Sequence, residues 1–292
     1  MTYLRNLLCA VSLFLFSIAS FSANAYEWEI SLHYLDFDTD DDFEKEEIIA
    51  LRATWYFTPV STAKGPLAES AYLSHASSLN FGYGDISVKQ QGIGDFDGPE
   101  FELGAFYVVP ASRYFFGVNY QDSSIEDGPI KTDQRFLGLQ FGKYFTDTFS
   151  GYLALTRTEV SIDVPSGPPL GDIDATGITI GAKNILESNG KYINLEGFIQ
   201  WVTEDLGVSG DDTNTVVSLA GDYYFTRQFG IGPLAKLNTG DAERNEGITY
   251  GFRISYFFNP RFALMFTHET FDADNALGRD ADTSQVNFAA RF

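Results

Sequence analysis

The sequence predicts an all-β fold, a transmembrane antiparallel up-and-down β-barrel, and three observations lead to this prediction. Every second residue from Val286 to Phe292 is apolar, which is the period of a strand with one face in an apolar medium. Similar alternation recurs along most of the chain. After the N-terminal segment no run of about 20 apolar residues occurs, so helical membrane spans are excluded. A barrel closed within a bilayer leaves no strand edge unpaired.

The N-terminal segment has the organisation of a secretion signal. Arg5 supplies a positive charge, a short apolar core follows, and Ala23-Asn24-Ala25 forms a cleavage site. The alternative is a membrane anchor, although the apolar core is short for a span of about 20 residues. We therefore expect a signal peptide at residues 1–25 and a single barrel domain at residues 26–292. Cys9 is the only cysteine, so the barrel domain is expected to hold no disulfide.

Alternation continues from the first predicted strand to the last. Apolar or aromatic side chains occupy most alternate positions of the segments Tyr26 to Tyr34, Ile49 to Phe57, Tyr114 to Tyr120, Ile193 to Trp201 and Ile248 to Tyr256. Polar residues hold most of the intervening positions. This pattern indicates strands with one face in lipid and the other in a polar interior.

The number of such segments predicts fourteen strands. The predicted spans are 26–37, 47–58, 69–83, 99–109, 112–122, 133–145, 149–160, 173–185, 191–203, 213–225, 228–238, 247–258, 261–271 and 283–292. Three of them, at 69–83, 149–160 and 261–271, alternate poorly, so twelve or sixteen strands remain alternatives. An even number places both chain termini on the same side of the membrane.

Short and long connections alternate along the chain. The short ones are Pro110-Ala111, 146–148, 187–190, 226–228 and 259–261, and the segment 59–68 is an exception. The longer ones, rich in acidic residues and glycine, are 38–46, 84–98, 122–131, 161–171, 204–212, 239–246 and 272–282. Short turns on one side and longer loops on the other are typical of outer-membrane barrels, whose termini are periplasmic. Aromatic clusters at 55–57, 144–145, 223–225 and 256–258 each lie beside a connection on the periplasmic side, as in a periplasmic girdle.

The negative net charge limits the classes of molecule that the chain can bind. The chain has 40 acidic and 19 basic residues, a formal net charge of −21. Nucleic acid is excluded as a partner because phosphate binding needs positive charge. The acidic loops, densest at 38–47, either hold divalent cations that bridge to lipopolysaccharide phosphates or form a solvated, self-repelling surface. Either way, their field predicts a weak preference for cations over anions in a conducting pore.

The overall organisation resembles the Gram-negative outer-membrane porins. The stretch Gly65-Pro-Leu-Ala-Glu-Ser-Ala-Tyr-Leu, followed by Ser77-Ser-Leu-Asn-Phe-Gly-Tyr-Gly, is similar to the general bacterial porin families of proteobacteria. The resemblance implies an outer-membrane location, contact with lipid and lipopolysaccharide, and a terminal strand whose Phe292 is read by the barrel assembly machinery. It departs in one respect, because no predicted outer loop is long enough to fold inward as a constriction. That departure favours a monomer, and a trimer is the alternative.

The polar parity of the strands supplies candidate pore-lining residues. They are Glu27, Glu29, Arg52, Glu102, Arg113, Asn119, Gln140, Glu196, Gln200, Asp222, Arg253, Asn287 and Arg291. Both signs of charge occur among them, as in a water-filled pore that orders permeating solutes. The alternative is that paired charges and amides brace the barrel without conducting. A polar interior in a barrel of this width favours a channel.

No catalytic, cofactor or metal site is predicted. His75 and Ser77 have the spacing of outer-membrane lipid hydrolases, but no orienting partner or oxyanion site accompanies them. The chain also lacks a phosphate-binding glycine loop, a metal-ligand cluster and a nucleotide fingerprint. The predicted function is passive diffusion of small hydrophilic solutes or ions. The alternative is a non-conducting barrel whose acidic loops serve adhesion or envelope integrity.

Overall fold

The computed structural model describes residues 25–39, 43–92, 94–128, 130–163, 172–205, 211–240, 246–274 and 279–292. The predicted signal peptide falls almost wholly on residues 1–24, and parts of the predicted acidic loops, including 40–42 and 206–210, also lie outside these ranges. The strands, numbered β1 to β14, are Ala25–Thr39, Glu44–Ser61, Ser78–Gln90, Gly94–Val108, Tyr114–Asp127, Ile130–Tyr144, Phe149–Asp163, Asp172–Ser188, Lys191–Asp205, Asp211–Tyr224, Phe229–Gly240, Gly247–Asn259, Phe262–Ala273 and Ala281–Arg291. Within the same ranges, no helix is both long and apolar enough to cross a bilayer.

All fourteen strands join one closed antiparallel barrel, which confirms the predicted fold and strand number. Each strand pairs with its neighbours in sequence, and β14 pairs with β1 to complete the circle. The weakly alternating segments at 149–160 and 261–271 are the strands β7 and β13. Their cross-strand partners supply the hydrogen bonds that hold them in place, so weak alternation did not prevent strand formation.

The outer surface of the barrel is apolar because alternate residues of each strand point away from the interior. Its most exposed side chains are large and hydrophobic, such as Leu219, Phe145 and Tyr83, at 67%, 57% and 54% of full exposure. A soluble protein would bury such residues, and an outer-membrane barrel turns them toward lipid. The interior face carries the polar residues and the small core.

The seam between β1 and β14 runs from Glu29 opposite Arg291 to Thr39 opposite Ala281. The carbonyl of Phe292 accepts hydrogen bonds from the backbone N–H groups of Glu27 and Trp28, at 2.6 and 3.0 Å. A register irregularity between Tyr26 and Trp28 interrupts the alternation at this point. Tyr26 is therefore buried inside the barrel and Glu27 is exposed, the reverse of the predicted parity.

The two ends of the barrel differ. One end carries the start of β1, the end of β14 and five connections of two to five residues, and we call it the short-turn end. At the other end, which we call the loop end, the predicted long connections are shorter than expected, since β3 extends to Gln90 and β4 begins at Gly94. Strands that project beyond the lipid face water on both sides, so they lose the apolar alternation by which they were recognised.

The largest correction concerns the connection between β2 and β3. Residues 69–83 were predicted as one strand, but β3 begins only at Ser78. Before it, Leu67–Glu69 form a 3₁₀ turn and Ser70–Leu73 form a one-turn helix, α1. We call residues 62–77 the plug turn. Pro66 precedes the helical turns with extended backbone, and its missing N–H favours a position at the start of a helical segment.

Aromatic residues form two layers at the short-turn end. On the outside, neighbouring rings contact one another in a girdle, for example Tyr223 with Phe225 at 4.7 Å and Tyr256 with Phe258 at 5.1 Å between ring centroids. The member of each predicted cluster that has the opposite parity points inward. These inward residues, all buried, are Tyr56, Tyr144, Tyr224 and Phe257. The same sequence clusters thus serve both the lipid boundary and the interior.

Candidate functional site

The plug turn enters the barrel at the short-turn end and is held there by backbone anchors. The N–H of Leu67 donates to the carbonyl of Arg227 at 2.8 Å, and Arg227 in turn donates from Nε to the carbonyl of Gly65 at 2.7 Å. From the other side, Nη1 of Arg291 donates to the carbonyl of Leu67 at 2.8 Å. The turn between β10 and β11 and the strand β14 thereby fix the centre of the segment from two directions.

Apolar packing seats the plug turn against the inward aromatic residues. Leu67 packs with Phe257, Ala263 and Ala289, which lie on β12, β13 and β14. Ala76 packs with Tyr56, Tyr26 and Val60 on β1 and β2. Tyr72 packs against the cluster that contains Tyr144 on β6. The plug turn therefore contacts strands on several sides of the barrel's cross-section.

A buried carboxylate of the plug turn reaches the barrel wall. Glu69, only 7% exposed, accepts a hydrogen bond from the phenol of Tyr224 at 3.0 Å. Its other carboxylate oxygen lies 2.8 Å from Nζ of Lys183 on β8. Beside it, the hydroxyl of Tyr72 lies within 3.0–3.2 Å of Ser150 Oγ, the carbonyl of Lys183 and the carbonyl of Thr148. We call the Glu69–Lys183–Tyr224 contacts the latch.

The latch continues into an ion-pair network on the wall. Glu196 on β9 lies 3.5 Å from Lys183 and also pairs with Arg253 on β12. Arg253 holds Asp222 on β10 at 2.6 Å, and Asp222 accepts a further hydrogen bond from Asn194 at 3.1 Å. Buried charges persist only when they are paired and hydrogen-bonded in this way.

A cavity of about 470 Å³ lies inside the barrel beside the latch, on the side toward the loop end, and Lys183 of the latch is part of its lining. We describe this position as above the latch. Three cationic side chains line it, Lys183, Lys236 and Arg253, together with the carboxylates Glu196 and Glu269. Lys236 and Glu269 pair with each other at 2.5 Å. The volume matches that of small-molecule sites, which are about 300–1,000 Å³.

The structure places other predicted residues on the interior face, away from this cavity. Arg52 pairs with Glu102 at 2.8 Å, and Arg291 pairs with Glu29 at 2.6 Å. The remaining amides share that face and lie on β5, β6, β9 and β14. They are Asn119, Gln140, Gln200 and Asn287.

Two of the predicted pore-lining residues lie elsewhere. Glu27 is exposed at the irregularity of β1, as described above. Arg113 precedes β5 rather than belonging to it, in a left-handed backbone conformation with φ of 60°. It pairs with Asp147 of the β6–β7 turn at 3.0 Å and so lies at the rim of the short-turn end.

The His75–Ser77 spacing does not form a catalytic pair. His75 lies in the plug turn with φ of 48°, its ring 4.0 Å from that of Tyr144 and its Nε2 3.3 Å from the carbonyl of Asp147. Ser77 Oγ accepts a hydrogen bond from the backbone of Val108 at 2.9 Å. Among the described residues no group of three or more His, Cys, Asp or Glu side chains is arranged to hold a metal ion.

Burial changes the acid–base properties of two plug-turn residues. It lowers the pKa of the His75 imidazole, although the nearby carbonyl and carboxylate of Asp147 oppose that effect. It raises the pKa of the Tyr72 phenol, and the hydrogen bond with Ser150 acts in the other direction. Both residues are therefore held in their neutral forms near neutral pH.

The sequence analysis did not select the latch residues. Lys183 and Lys236 occupy the inward parity of predicted strands, so the same alternation that gave Glu196 and Arg253 could have found them. The role of Glu69 could not be predicted from this alternation, because the residue was assigned to a strand. Its partners are 114 and 155 residues distant in sequence. No local pattern reports a contact of that range.

Comparison with known proteins identifies the family. A family model described as "Putative general bacterial porin" matches residues 4–292. The chain belongs to this family. It is therefore an outer-membrane porin barrel, which confirms the resemblance drawn from the sequence, and the family is not an enzyme family. A search of curated proteins gave no match.

Solved structures of other outer-membrane proteins share the porin's fold. The outer membrane protein Omp33 of Acinetobacter baumannii is 18% identical, with a TM-score of 0.61, and the match covers 93% of this chain and 100% of that one. An outer membrane channel from Pseudomonas putida F1 is 11% identical, with a TM-score of 0.51, and covers 94% and 97%. At these identities the likeness concerns the fold alone.

Proposed function

We propose that this porin conducts small hydrophilic solutes and ions passively, and that the plug turn closes the pathway at the short-turn end. The short-turn end is periplasmic in this proposal, and the loop end faces the cell exterior. Residues 1–25 act as a removable secretion signal, and residues 26–292 form one barrel that works as a monomer. The inward polar residues line the pathway down to the cavity above the latch.

The observation that carries this proposal is the way the plug turn is held. Its contacts reach β1, β2, β6, β8, β10, β12, β13 and β14, so the segment crosses the interior instead of lying along one wall. Those contacts combine three small apolar clusters with a few hydrogen bonds and one ion pair. Hydrogen bonds contribute a net of about 0.5–1.5 kcal/mol each, so a segment held by a few of them can exchange with a released state.

The experiment compares the wild-type porin with a variant in which residues 66–74 are replaced by a short Gly-Ser turn. In planar bilayers we expect the variant to give larger or more frequent conductance steps than the wild type. Heat-modifiable migration on gels checks that both barrels are folded. A loop-end deletion of similar size, within 274–280, serves as the matched control and is expected to leave the steps at the wild-type level.

Equal conductance of wild type and plug variant would contradict closure by the plug turn. Silence of both folded barrels would instead support the alternative, a non-conducting barrel with a role in adhesion or envelope integrity. The proposal also includes lipopolysaccharide and outer-membrane lipid as the surroundings of the girdle, and recognition of Phe292 by the assembly machinery.

A further inference from the structure

We infer that the cavity above the latch binds the carboxylate group of small monocarboxylate solutes at Lys183, where the solute replaces Glu69 and thereby releases the plug turn. This inference rests on the proposed function, because it names the solute class that opens the proposed gate. In the docked state, the carboxylate of Glu69, which belongs to the plug turn, occupies the position that the carboxylate of the solute takes after release.

The pairing of charges around the cavity singles out Lys183. Asp222 neutralises Arg253 at 2.6 Å, and Glu269 neutralises Lys236 at 2.5 Å. Glu196 is shared between Lys183 and Arg253, and it lies 3.5 Å from Lys183. The short contact to Lys183, at 2.8 Å, comes only from the movable segment. Loss of Glu69 therefore leaves Lys183 with Glu196 alone, which is shared with Arg253 and lies 3.5 Å away, so this ammonium group has room for a closer carboxylate.

The surroundings of Lys183 suit a small solute. The ammonium group lines the cavity. Tyr152, Ser218, Thr267 and Gln285 also line it and offer hydroxyl and amide groups to a hydroxyl-bearing molecule. A carboxylate that binds Lys183 makes the same charge-assisted hydrogen bonds that Glu69 makes.

The acidic exterior does not prevent this binding. The negative loops lower the local concentration of anions, but physiological salt screens their field over about 8 Å. Binding at Lys183 depends on direct contact within the barrel. A general preference of the mouth for cations and a specific carboxylate site deeper inside are therefore compatible.

The test uses sodium lactate and its uncharged analogue lactamide, added on the loop side of single channels at constant ionic strength. Lactate binds only the released state, in which Glu69 has left Lys183. A ligand of that kind, at ten times its dissociation constant, raises the open-to-closed ratio about tenfold. Lactamide is expected to leave the ratio unchanged. An equal response to both compounds, or to neither, would overturn the inference.

Two substitutions locate the effect at the latch. Glu69→Gln removes the ion pair with Lys183 but keeps a side chain at that place, so it is expected to raise the open-to-closed ratio without lactate and to shift the lactate response to lower concentrations. Lys183→Gln is expected to remove the response. Glu187→Gln, an exposed carboxylate at the same end, is the matched control and should behave as the wild type.

The outcomes separate this inference from the proposed gate. Opening by deletion of residues 66–74 and by Glu69→Gln, together with a wild type that ignores lactate, keeps the gate and rejects the carboxylate site. A lactate response that survives in Lys183→Gln also rejects it. Failure of the deletion to change conductance rejects the gate itself.

Discussion

Arg291 connects three parts of the porin at the scale of a single residue. Its guanidinium group pairs with Glu29 across the seam, donates to the carbonyl of Leu67 in the plug turn, and lies 4.7 Å from the ring centroids of Tyr26 and Phe257. It is 5% exposed. One side chain thus joins the closing strands to the segment that fills their end.

Replacement of Arg291 by Gln should destabilise the barrel strongly. Loss of one partner of a buried ion pair costs about 3–5 kcal/mol, because the other charge is left uncompensated. Urea unfolding in detergent micelles measures the difference in free energy of unfolding. Arg157→Gln is the control, since Arg157 is exposed and such pairs contribute about 0–1 kcal/mol. Equal losses in both variants would contradict the role assigned to Arg291.

His75 predicts a pH dependence of the gate. The groups that face it are the Tyr144 ring, Asp147 of the β6–β7 turn, and the cations Arg113 and Lys64. Because burial lowers the pKa of docked His75, the released turn binds protons more readily than the docked turn. Docking is therefore strongest above the ordinary histidine pKa of about 6.5 and weakens as the pH falls below it.

Open probability should accordingly rise on acidification from about pH 7.5 to about pH 5.5. His75→Gln keeps a polar side chain but removes the titration, so its profile should be flat across that interval. Single-channel recordings at constant salt give both profiles. A wild-type profile that is itself flat, or one that His75→Gln reproduces, would contradict the assignment.

At the scale of the element, the plug turn explains why the aromatic clusters near the short turns contain residues of both parities. The outward members meet lipid, and the inward members Tyr56, Tyr144, Tyr224 and Phe257 receive the plug turn. Gly65 permits the tight entry of the segment, because its φ is 61° and a Cβ there would meet Leu73 at 2.3 Å.

Adjacent tyrosines at the end of β10 provide a matched test of the latch. Tyr224→Phe removes the hydrogen bond to Glu69 and leaves the ring in place. A buried carboxylate that loses a donor is destabilised by about 1–3 kcal/mol, so the open-to-closed ratio should rise roughly tenfold. Tyr223→Phe alters a lipid-facing residue and should leave the ratio unchanged. An equal effect of both substitutions in single-channel recordings would argue against the latch.

The strands were largely predictable from the sequence, and the plug turn was not. Lipid requires an apolar residue at every second position, so each membrane-crossing strand can be recognised from the alternation in its own sequence, as in Ile248 to Tyr256. The apolar residues within 67–73 have another role, since Leu67 packs inside the barrel. A short apolar run does not distinguish a helical turn from a strand. The pairing of Glu69 with Lys183 needed the closed barrel to bring them together.

At the scale of the whole molecule, the excess of acidic residues predicts the sign of ion selectivity. With 40 acidic and 19 basic residues, the field at the loop end favours cations. Reversal potentials of the plug-deleted porin in a KCl gradient should have the cation-selective sign at low salt. The preference should decline at high salt because exposed charges are screened. An anion-selective sign would contradict this prediction.

In the proposed function, the barrel and its plug turn form a pathway that is open from the loop end and closed at the short-turn end. This asymmetry distinguishes the gated porin from an unobstructed pore and from a barrel filled along its whole length. Gln285 is a suitable reporter position, since it lines the cavity directly above the latch. Cys9, the only native cysteine, lies in the proposed secretion signal, so a cysteine at position 285 is the single thiol of the mature porin.

The most direct measurement is the labelling rate of Gln285→Cys by a membrane-impermeant thiol reagent supplied from either side of oriented proteoliposomes. Gln91→Cys and Ser112→Cys report free access at the loop end and the short-turn end. We predict fast labelling of position 285 from the loop side, slow labelling from the short-turn side, and equal rates once residues 66–74 are replaced. Equal rates from both sides of the intact porin would contradict closure by the plug turn.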